Sequence, residues 1–533
     1  MTTLLLNGRI HSPTHPDATA MAIRGDVIAW LGSDDVARTQ FPDADIVDLD
    51  GAFVAPAFVD SHVHVTSTGL LLTGLDLRAA TSAQHCLQLL AEHARGRPDA
   101  VIWGHGWDDS AWPQSGGPST AEIDAAVGDR PVYLSRIDVH SALASTVLRA
   151  QTSGLHDADG YDGHGPLTAA AHHLVRAQAR AQVSEAQRSE ARTAALDAFA
   201  ASGIVAVHEC AGPQIGGLDD WLELRAVDHG VEVLGYWGEA VDSAARAREL
   251  MATTGAHGLG GDLFVDGALG SRTAWLRTPY SDDDTNCGRC YLDADGIESH
   301  LRACTEAGVA AGFHVIGDAA VTAVVDAFER VVDQVGIPAV ARCGHRLEHL
   351  EMVSTEQAAK LGSWGVIASV QPNFDALWGG AEGMYAQRLG RARAEALNPF
   401  AALASAGVPL AFGSDSPVTG MDPWATVRAA TAHQTEGSAV SARAAFSAAT
   451  RGGWRAGGVR DGVTGTLTVG ALASYAVWAA EDLEVSAPAD SVQRWSTDPR
   501  SRVPALPSLA PHHPSPRCLQ TVHRGRVLFE GRR

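Results

Sequence analysis

The sequence predicts an α/β protein built around a (β/α)8 TIM barrel, with a flanking β-sandwich domain formed from both chain ends and an insertion after the first barrel strand. Three observations carry this prediction. Eight apolar runs alternate with Ala-rich helical stretches in the middle of the 533-residue chain. Short apolar runs separated by turn residues occupy both chain ends. The gap between the first and second barrel strands, from about residue 66 to about residue 202, is far longer than a crossover helix needs.

The two chain ends share a pattern of short strands and tight turns. TLLLNGRI, MAIRGDVIAWLG and ADIVDLDGAFVAP show it near the amino terminus, and GTLTVGALASYAVWAA and LQTVHRGRVLFEG show it near the carboxyl terminus. We therefore expect residues 1–56 and 464–533 to form one discontinuous β-sandwich domain. Residues 485–516 are rich in Pro, Ser and Asp, which predicts an irregular surface connection.

The central part, residues 57–463, contains the candidate barrel. An insertion subdomain is expected at about residues 68–200, and SEAQRSEARTAALDAFAASG predicts a helix that ends at Gly203 and leads into the second strand. Eight strands with intervening helices are typical of a (β/α)8 barrel. The candidate strands are AFVDSHVHV, GIVAVHE, VEVLGYW, DLFVDG, AGFHVIG, HRLEHLE, VIASVQP and PLAFGSD.

Composition excludes several classes of protein. With 45% hydrophobic and 19% charged residues, the chain has enough apolar material for a large core, which excludes wholesale disorder. The 40 Lys and Arg against 62 Asp and Glu give a net charge of −22, which disfavours nucleic acid and anionic membranes as partners. No apolar stretch approaches transmembrane length, and the seven cysteines are too thinly spread for a disulfide framework. We expect a cytoplasmic protein with a small-molecule substrate, and a homodimer is compatible with the sequence.

Polar residues at the ends of the candidate strands predict a metal site. Catalytic groups lie at the carboxyl ends of the strands in this fold. His62 and His64 are two residues apart on a strand, so both imidazoles face the same side. An isolated His-x-His is as often two unrelated polar side chains as it is a pair of metal ligands. His314, His349 and Asp415 end other candidate strands, however, and together the five residues predict a divalent metal at one barrel mouth.

These residue types also predict a reaction class. A metal held by neutral imidazoles and a carboxylate lowers the pKa of water toward neutrality. Asp415 can take a proton from the attacking water and pass it to a leaving nitrogen. His349 can either bind a second metal or polarise the substrate carbonyl. Zinc is the expected ion, although such a site also accepts Fe or Mn.

Several segments resemble a known family across almost the whole chain. The chain resembles the amidohydrolase superfamily, and within it the amidohydrolase-3 group of YtcJ-like metal-dependent hydrolases. The resemblance implies a metal-bearing barrel, a flanking β-sandwich and hydrolysis of carbon-nitrogen bonds other than peptide bonds. It places His62, His64, His314 and Asp415 at metal-ligand positions and His349 at the sixth-strand histidine. The segments are APAFVDSHVHV, GHGWDDSAW, RIDVHSALAST, DLFVDGALGSRTAWL, GFHVIGDAAV, RLEHLEMV, SVQPNF and AFGSDSPV.

The chain departs from this family at one position. The family commonly has a lysine, carbamylated to bridge two metals, where this chain has Asp262. The only lysine in the chain is Lys360, in a stretch that predicts a solvated helix. Because aspartate is much shorter than a carbamylated lysine, we expect Asp262 to be a doubtful ligand and the site to hold one tightly bound ion.

Four further residues are candidates for substrate binding. Arg272 and His140 lie in polar loop motifs, where an ion pair or loop packing explains them equally well. Trp107 belongs to a tryptophan cluster in the predicted insertion, which walls an apolar pocket or packs the core of the insertion. Asp318 follows the fifth candidate strand.

The leading hypothesis is a metal-dependent hydrolase that cleaves an amide or formamide-like C–N bond of a small molecule. A deaminase of a heterocyclic amine is the alternative with the same metal site, and ammonia release separates the two. A non-catalytic binding barrel is the alternative from another class. The substrate specificity is expected in the loops and the insertion.

Overall fold

The structure is a computed structural model that describes residues 2–96, 101–114, 116–485, 504–510 and 513–531. Most of the predicted irregular connection at residues 485–516 lies outside the described residues. The amino-terminal segment contains β1 (Thr2–Leu6), β2 (Arg9–Ile10), β3 (Ala20–Arg24), β4 (Val27–Gly32), α1 (Asp34–Gln40), β5 (Asp45–Asp48) and β6 (Phe53–Pro56).

The first barrel strand, β7 (Phe58–Val63), is followed by a long insertion. The insertion contains α2 (Val65–Thr73), β8 (Leu75–Asp76), α3 (Ala83–Gly96), β9 (Ile102–Trp107), α4 (Thr120–Val127), β10 (Val132–Arg136), β11 (Ser141–Ala144), α5 (Thr146–Gln151), β12 (Leu167–Thr168), α6 (Ala169–Arg180) and α7 (Glu185–Ala201).

The other barrel strands are β13 (Ile204–Ala211), β14 (Glu232–Trp237), β15 (Gly258–Leu259), β16 (Ala310–Val315), β17 (Arg346–His349), β18 (Ile367–Val370) and β19 (Leu410–Phe412). The helices between and after them are α8 (Gly217–Arg225), α9 (Ala244–Thr254), α10 (Ala294–Ala307), α11 (Asp318–Val335), α12 (Ile337–Cys343), α13 (Thr355–Trp364), α14 (Pro372–Trp378), α15 (Met384–Leu389), α16 (Arg391–Ala394), α17 (Phe400–Ser405), α18 (Pro423–Thr431), α19 (Ala442–Ser447) and α20 (Gly453–Ala456). The carboxyl-terminal strands are β20 (Tyr475–Ala479), β21 (Leu483–Glu484), β22 (Leu506–Pro507), β23 (Arg517–His523) and β24 (Arg526–Glu530).

Within the described residues, eight parallel strands form the central sheet, in the order β7, β13, β14, β15, β16, β17, β18, β19. Backbone hydrogen bonds join the two ends of this sheet. The N–H of Asp415 donates to the His62 carbonyl at 2.8 Å, and the N–H of His64 donates to the Ser416 carbonyl at 2.9 Å. These bonds close the barrel at the level of the predicted metal ligands. The predicted fold class is confirmed.

The fourth barrel strand lies earlier in the chain than the sequence pattern predicts. The apolar segment DLFVDG is not a regular strand, and β15 lies just before it. A Cβ atom on Gly260 would lie 2.4 Å from the Gly312 Cα atom, so only glycine allows the two backbones to approach this closely. An apolar pattern cannot reveal a strand held by glycines. As a consequence, Asp262 follows the carboxyl end of the strand and lies at the barrel mouth.

The insertion forms a second layered unit beside the barrel. Its sheet has the order β12, β11, β10, β9, β8, in which β8, β9 and β10 are parallel. Helix α2 packs tightly on α7, because a Cβ atom on Gly69 would lie 1.8 Å from the Ala191 carbonyl oxygen. This contact joins the first and last helices of the insertion, which follow β7 and precede β13.

Strands from both chain ends form two further sheets. One sheet has the order β4, β3, β1, β5, and the other has the order β2, β6, β20, β23, β24. The core between them contains Leu5 and Met21 from the amino-terminal segment and Tyr475 and Val522 from the carboxyl-terminal segment. In the part of the chain that the structure describes, each helix is too short or too polar to cross a bilayer.

Candidate active site

Six polar side chains converge where the barrel strands end, and all six are buried. Strands in a closed parallel barrel bring their carboxyl ends to one mouth, which explains why residues far apart in sequence meet here. They are His62 and His64 at the end of β7, Asp262 after β15, His314 in β16, His349 at the end of β17 and Asp415 after β19.

Asp262 lies at the centre of this cluster. Its Oδ1 lies 3.4 Å from His62 Nε2, 3.4 Å from His314 Nδ1 and 3.9 Å from His349 Nε2. Its Oδ2 lies 3.2 Å from His64 Nε2. These distances place the Asp262 carboxylate within reach of an ion held by these imidazoles. The side chain is short, but the position of β15 places its backbone at the mouth.

Asp415 approaches the same imidazoles from the other side. Its Oδ1 lies 3.4 Å from His64 Nε2 and 3.5 Å from His62 Nε2. The backbone φ is +54° at Asp415 and +69° at His349, which is an unfavourable region for residues with a side chain. Such strain persists where the surrounding structure requires it, and here it directs both side chains into the cluster.

The cluster has the properties of a divalent-metal site. Imidazole nitrogens and carboxylate oxygens are the ligands of Zn, Fe and Mn. Five polar atoms of these residues are buried and have no hydrogen-bond partner among the described residues, although buried polar atoms are normally paired. They are His62 Nε2, His64 Nδ1, Asp262 Oδ1, His314 Nδ1 and Asp415 Oδ1. The residues therefore fit a metal ion.

Two groups of potential ligands share the Asp262 carboxylate. One group contains His62 and His64, and the other contains His314 and His349. In each group the ligand atoms lie within 4.8 Å of one another. Asp262 is thus placed to contact ions held by either group.

The electrostatic field of the cluster favours a cation. Burial alone would lower the pKa of His349, but the carboxylates of Asp262 and Asp415 outweigh this effect and raise the pKa to about 9. The same carboxylates attract a metal ion to this position.

Hydrogen bonds behind the ligands fix the orientation of two imidazoles. His62 Nδ1 lies 2.8 Å from Glu348 Oε2, and His349 Nδ1 lies 2.8 Å from Gln371 Oε1. When each Nδ1–H donates to its oxygen, Nε2 keeps its lone pair for a metal. Burial would raise the pKa of Glu348, but the Arg346 guanidinium, 2.6 Å away, holds it well below its usual range. The Glu348 acceptor therefore stays ionised.

Comparison with known proteins identifies the family. The amidohydrolase family profile matches residues 45–529. The chain belongs to the amidohydrolase family. The YtcJ protein of Bacillus subtilis (strain 168) is 29% identical over 438 residues, which cover 77% of this chain and 79% of that protein. The N-substituted formamide deformylase of Arthrobacter pascens is 23% identical over 450 residues, which cover 78% of this chain and 81% of that protein.

A solved structure shows the same architecture. An uncharacterized metal-dependent hydrolase from Pyrococcus furiosus superposes with a TM-score of 0.68 and 25% identity, covering 90% of this chain and 98% of that chain. Together with the family membership, this likeness supports metal-dependent hydrolysis as the general activity of this amidohydrolase. The predicted family is confirmed.

The cluster of this amidohydrolase opens into two adjoining pockets, which share His140, His314, His349 and Asp415 among their walls. The aromatic pocket, with a cavity volume of about 30 Å³, is also lined by Phe374, Trp378 and Tyr385. The arginine pocket, with a cavity volume of about 40 Å³, is also lined by Trp103, Arg176 and Arg180. Two small cavities therefore adjoin the predicted metal ligands on different sides.

His140 is the predicted substrate-binding residue that the structure places in this space. Its ring centroid lies 5.0 Å from that of His314 and 5.6 Å from that of Phe264. Burial and the neighbouring His314 hold the pKa of His140 well below its usual value. The imidazole is therefore neutral at physiological pH and can donate a hydrogen bond.

The other three predicted substrate-binding residues line neither pocket. Their polar atoms are bonded to other protein groups. The Arg272 guanidinium donates to Asp282 at 3.1 and 2.7 Å. Trp107 is buried in the insertion, where its Nε1–H donates to a backbone carbonyl at 2.9 Å, as its packing alternative predicts. The Asp318 carboxylate accepts the Arg277 backbone N–H at 3.0 Å.

Four residues at or behind the candidate site were not identified from the sequence. Gln371 directly follows β18, the seventh barrel strand, so the rule that identified the other strand ends also applies to it. Glu348 lies within a buried strand, where a charged residue signals a specific partner. Arg176 and Arg180 lie one helical turn apart on α6, but their position at the pocket depends on how the insertion packs.

Proposed function

We propose that this amidohydrolase cleaves an amide or formamide-like C–N bond of a small molecule. The observation that carries the proposal is the Asp415 carboxylate. Its Oδ1 lies beside two metal-binding imidazoles, is buried and has no hydrogen-bond partner among the described residues. The carboxylate also faces both pockets, where a substrate would lie.

The residues of the mouth would hold the metal. His62 and His64 with Asp262 form one ligand group, and His314 and His349 with Asp262 form the other. A bound divalent ion supplies Lewis acidity and lowers the pKa of water. Zinc is our preferred ion, while Fe and Mn accept the same ligands. The expectation of a single ion depended on Asp262 being out of reach, so its central position supports two ions that share this carboxylate.

Asp415 acts as the proton carrier in this proposal. An amide nitrogen is a poor leaving group unless it is protonated, so one residue must accept a proton from water and deliver it to nitrogen. Asp415 is placed to do both because it borders the ligand cluster and the two pockets.

His140 positions the substrate. Its neutral imidazole can donate a hydrogen bond to the carbonyl oxygen, whose charge increases as the bond to water forms. Phe264, Phe374 and Trp378 surround the site with apolar surface. This surface excludes bulk water and strengthens the electrostatic interactions inside.

One relative supports the choice of bond. The Arthrobacter pascens protein is named as a deformylase of N-substituted formamides and aligns with 78% of this chain. A formamide has the smallest acyl group, and it fits between the crowded imidazoles more easily than a larger amide.

The test is turnover by zinc-loaded protein on matched N-substituted formamides, acetamides and heterocyclic amines. We expect formate or acetate release, measured by coupled enzymatic assay, with no ammonia from the amines. An Asp415→Asn variant controls for contaminating hydrolases, because it keeps the shape of the site and loses the proton carrier. Ammonia release from the amines alone would show a deaminase, and no turnover of any substrate would favour a binding protein.

A further inference from the structure

Two arginines of the insertion border the arginine pocket beside the metal-binding residues. Arg180 lies in the last turn of α6 and Arg176 lies one turn earlier, four residues apart, so both lie on one face of the helix. Arg176 is 6% exposed, whereas Arg180 is partly exposed. The pocket thus brings two positive charges next to the predicted reaction centre.

Neither guanidinium has an acidic partner in the described part of the chain. Arg176 Nη2 donates to the Gln214 carbonyl at 2.7 Å and lies 3.1 Å from His173 Nδ1, while its buried Nε has no hydrogen-bond partner. Arg180 makes no hydrogen bond or ion pair with the described residues. A buried charge without a partner is costly, so such a group suggests a ligand.

The acidic residues of the same pocket have other roles. Asp262 and Asp415 lie among the metal-binding imidazoles. Asp138 accepts hydrogen bonds from Arg136 at 2.8 Å and from Ser271 at 2.8 and 2.9 Å. When a metal ion neutralises the central carboxylates, the two pocket arginines are left with excess positive charge.

Both arginines keep their charge. Burial lowers the pKa of Arg176, and burial together with the neighbouring Arg176 lowers the pKa of Arg180 to about 10. Each guanidinium is therefore protonated at neutral pH. Burial and Arg176 also lower the pKa of His173 to about 3, so this neighbouring imidazole adds no charge.

The apolar residues that line the two pockets indicate what the rest of the ligand is. Trp103 and Ile215 give the arginine pocket apolar surface, and the adjoining aromatic pocket contributes Phe374 and Trp378. Among the described residues, the buried Nε–H of Arg176 has no acceptor, although its Nη2 is bonded. A planar monoanion needs few donors, so a carboxylate matches this pair better than a phosphate dianion does.

We propose that Arg176 and Arg180 bind the carboxylate of an amide substrate that also carries an apolar group, while its C–N bond lies beside Asp415. This inference rests on the proposed function, since it names the substrate class of the same site. The carboxylate orients the substrate across the mouth, and the apolar group occupies the aromatic pocket.

The first experiment measures binding without turnover. Isothermal titration of zinc-loaded protein compares 3-phenylpropionate with the neutral 3-phenyl-1-propanol. We expect the carboxylate to bind about ten- to hundredfold more tightly, as for a hydrogen bond between charged groups, and Arg180→Gln or Arg176→Gln to remove this preference. Arg180→Gln is the safer variant because the Arg180 side chain makes no hydrogen bond with the described residues.

Arg188→Gln is the matched control. Arg188 lies on α7, where it pairs with Glu223 at 3.1 Å and does not line either pocket. Removing this charge tests for a general loss of positive potential, and we expect the carboxylate preference to stay unchanged. If Arg180→Gln and Arg176→Gln both bind 3-phenylpropionate as the wild type does, the anion is held elsewhere and the inference is overturned.

The second experiment measures turnover of N-formylphenylalanine and its N-methylamide. We expect a kcat/KM preference of about ten- to hundredfold for the free carboxylate, mostly in KM, which Arg180→Gln abolishes and Arg188→Gln keeps. Equal turnover of the two substrates by the wild type would contradict carboxylate binding by Arg176 and Arg180, but it would agree with the proposed function. Arginine-dependent binding of 3-phenylpropionate without turnover of any amide would contradict the proposed function and support carboxylate binding by these arginines.

Discussion

The barrel contains two buried clusters of histidines that differ in how their nitrogen atoms are used. At the mouth, His62 Nε2 and His314 Nδ1 are buried without hydrogen-bond partners among the described residues. Between α10 and the strands, both nitrogens of His300 and His345 have partners. His300 accepts the Val241 N–H at 3.1 Å and lies 3.2 Å from the Leu259 carbonyl. His345 accepts the Ala311 N–H at 2.8 Å and lies 3.0 Å from Thr305 Oγ1.

The comparison shows that burial and residue type alone do not identify a site. Both clusters are inaccessible and rich in imidazole, yet the second cluster uses its nitrogens to connect strands and helices. Burial lowers the pKa of His300 to about 4 and of His345 to about 3, so both are neutral structural residues. Ligand atoms without partners, close to carboxylates, distinguish the first cluster.

The largest expected effect comes from removing mouth histidines. His62→Ala with His64→Ala should lose the ion held by that ligand group and about 10⁴-fold or more in kcat, since a metal supplies several kcal/mol of transition-state stabilisation. Thermal unfolding should change little, because these side chains hold the ion rather than the apolar core. Elemental analysis of the purified double variant is the measurement. A metal content equal to that of the wild type would show that His62 and His64 hold no ion.

Asp415→Asn should reduce kcat by about 10²–10⁴-fold, the usual contribution of a general acid–base group. The amide keeps the size and an oxygen, but it cannot carry a proton, so substrate affinity should change much less than turnover. Steady-state kinetics with an N-substituted formamide separate the two quantities. A large loss of affinity at unchanged kcat would contradict the role of proton carrier.

Asp262→Asn tests whether one carboxylate serves both ligand groups. Two dications a few ångströms apart repel strongly unless an anion lies between them. We therefore expect about two bound ions per wild-type chain at saturating zinc and about one in the variant. Titration with mass-spectrometric metal counting checks this. If the wild type saturates at a single tightly bound ion, Asp262 serves one group and the single-ion expectation stands.

The sequence was sufficient to predict the barrel and most of the residues that meet at its mouth. His62, His314 and Asp415 were predictable because strand ends in this fold meet at one face, whatever their separation in sequence. The position of Asp262 at the mouth could not be predicted, because β15 is held by close glycine contacts, which leave no apolar pattern. Arg176 and Arg180 could be assigned to one helix face, but only the packing of the insertion shows that this face borders the pocket.

His345→Asn tests the second cluster, in which both nitrogens of His300 and His345 have hydrogen-bond partners. The asparagine oxygen replaces the Nδ1 acceptor, but the contact with Thr305 is lost, so we expect about 1–2 kcal/mol of lost stability with metal content unchanged. Burial lowers the pKa of His345 to about 3 from an unfolded value near 6.5, which means that only the neutral form is favoured on folding. Its stabilisation is complete above pH 6.5 and is lost as pH falls toward 3.

Thermal unfolding of the wild type and the His345→Asn variant between pH 7 and pH 4 measures this difference. The two midpoints should approach each other on acidification, because asparagine does not titrate. Loss of metal in the variant would instead connect this cluster to the mouth and remove the distinction between the two sets of histidines.

The smallest expected effect comes from replacing Lys360. Lys360 lies on α13 at the protein surface, with Nζ 3.0 Å from Glu329 Oε2, and it lines neither pocket. A carbamate formed there could not contact His62 or His314. Lys360→Arg should therefore keep kcat/KM within about twofold, as is usual for surface substitutions, and bicarbonate added during reconstitution with zinc should change neither activity nor metal content. A bicarbonate-dependent gain that disappears in Lys360→Arg would show that a carbamate, and not Asp262, completes the metal site.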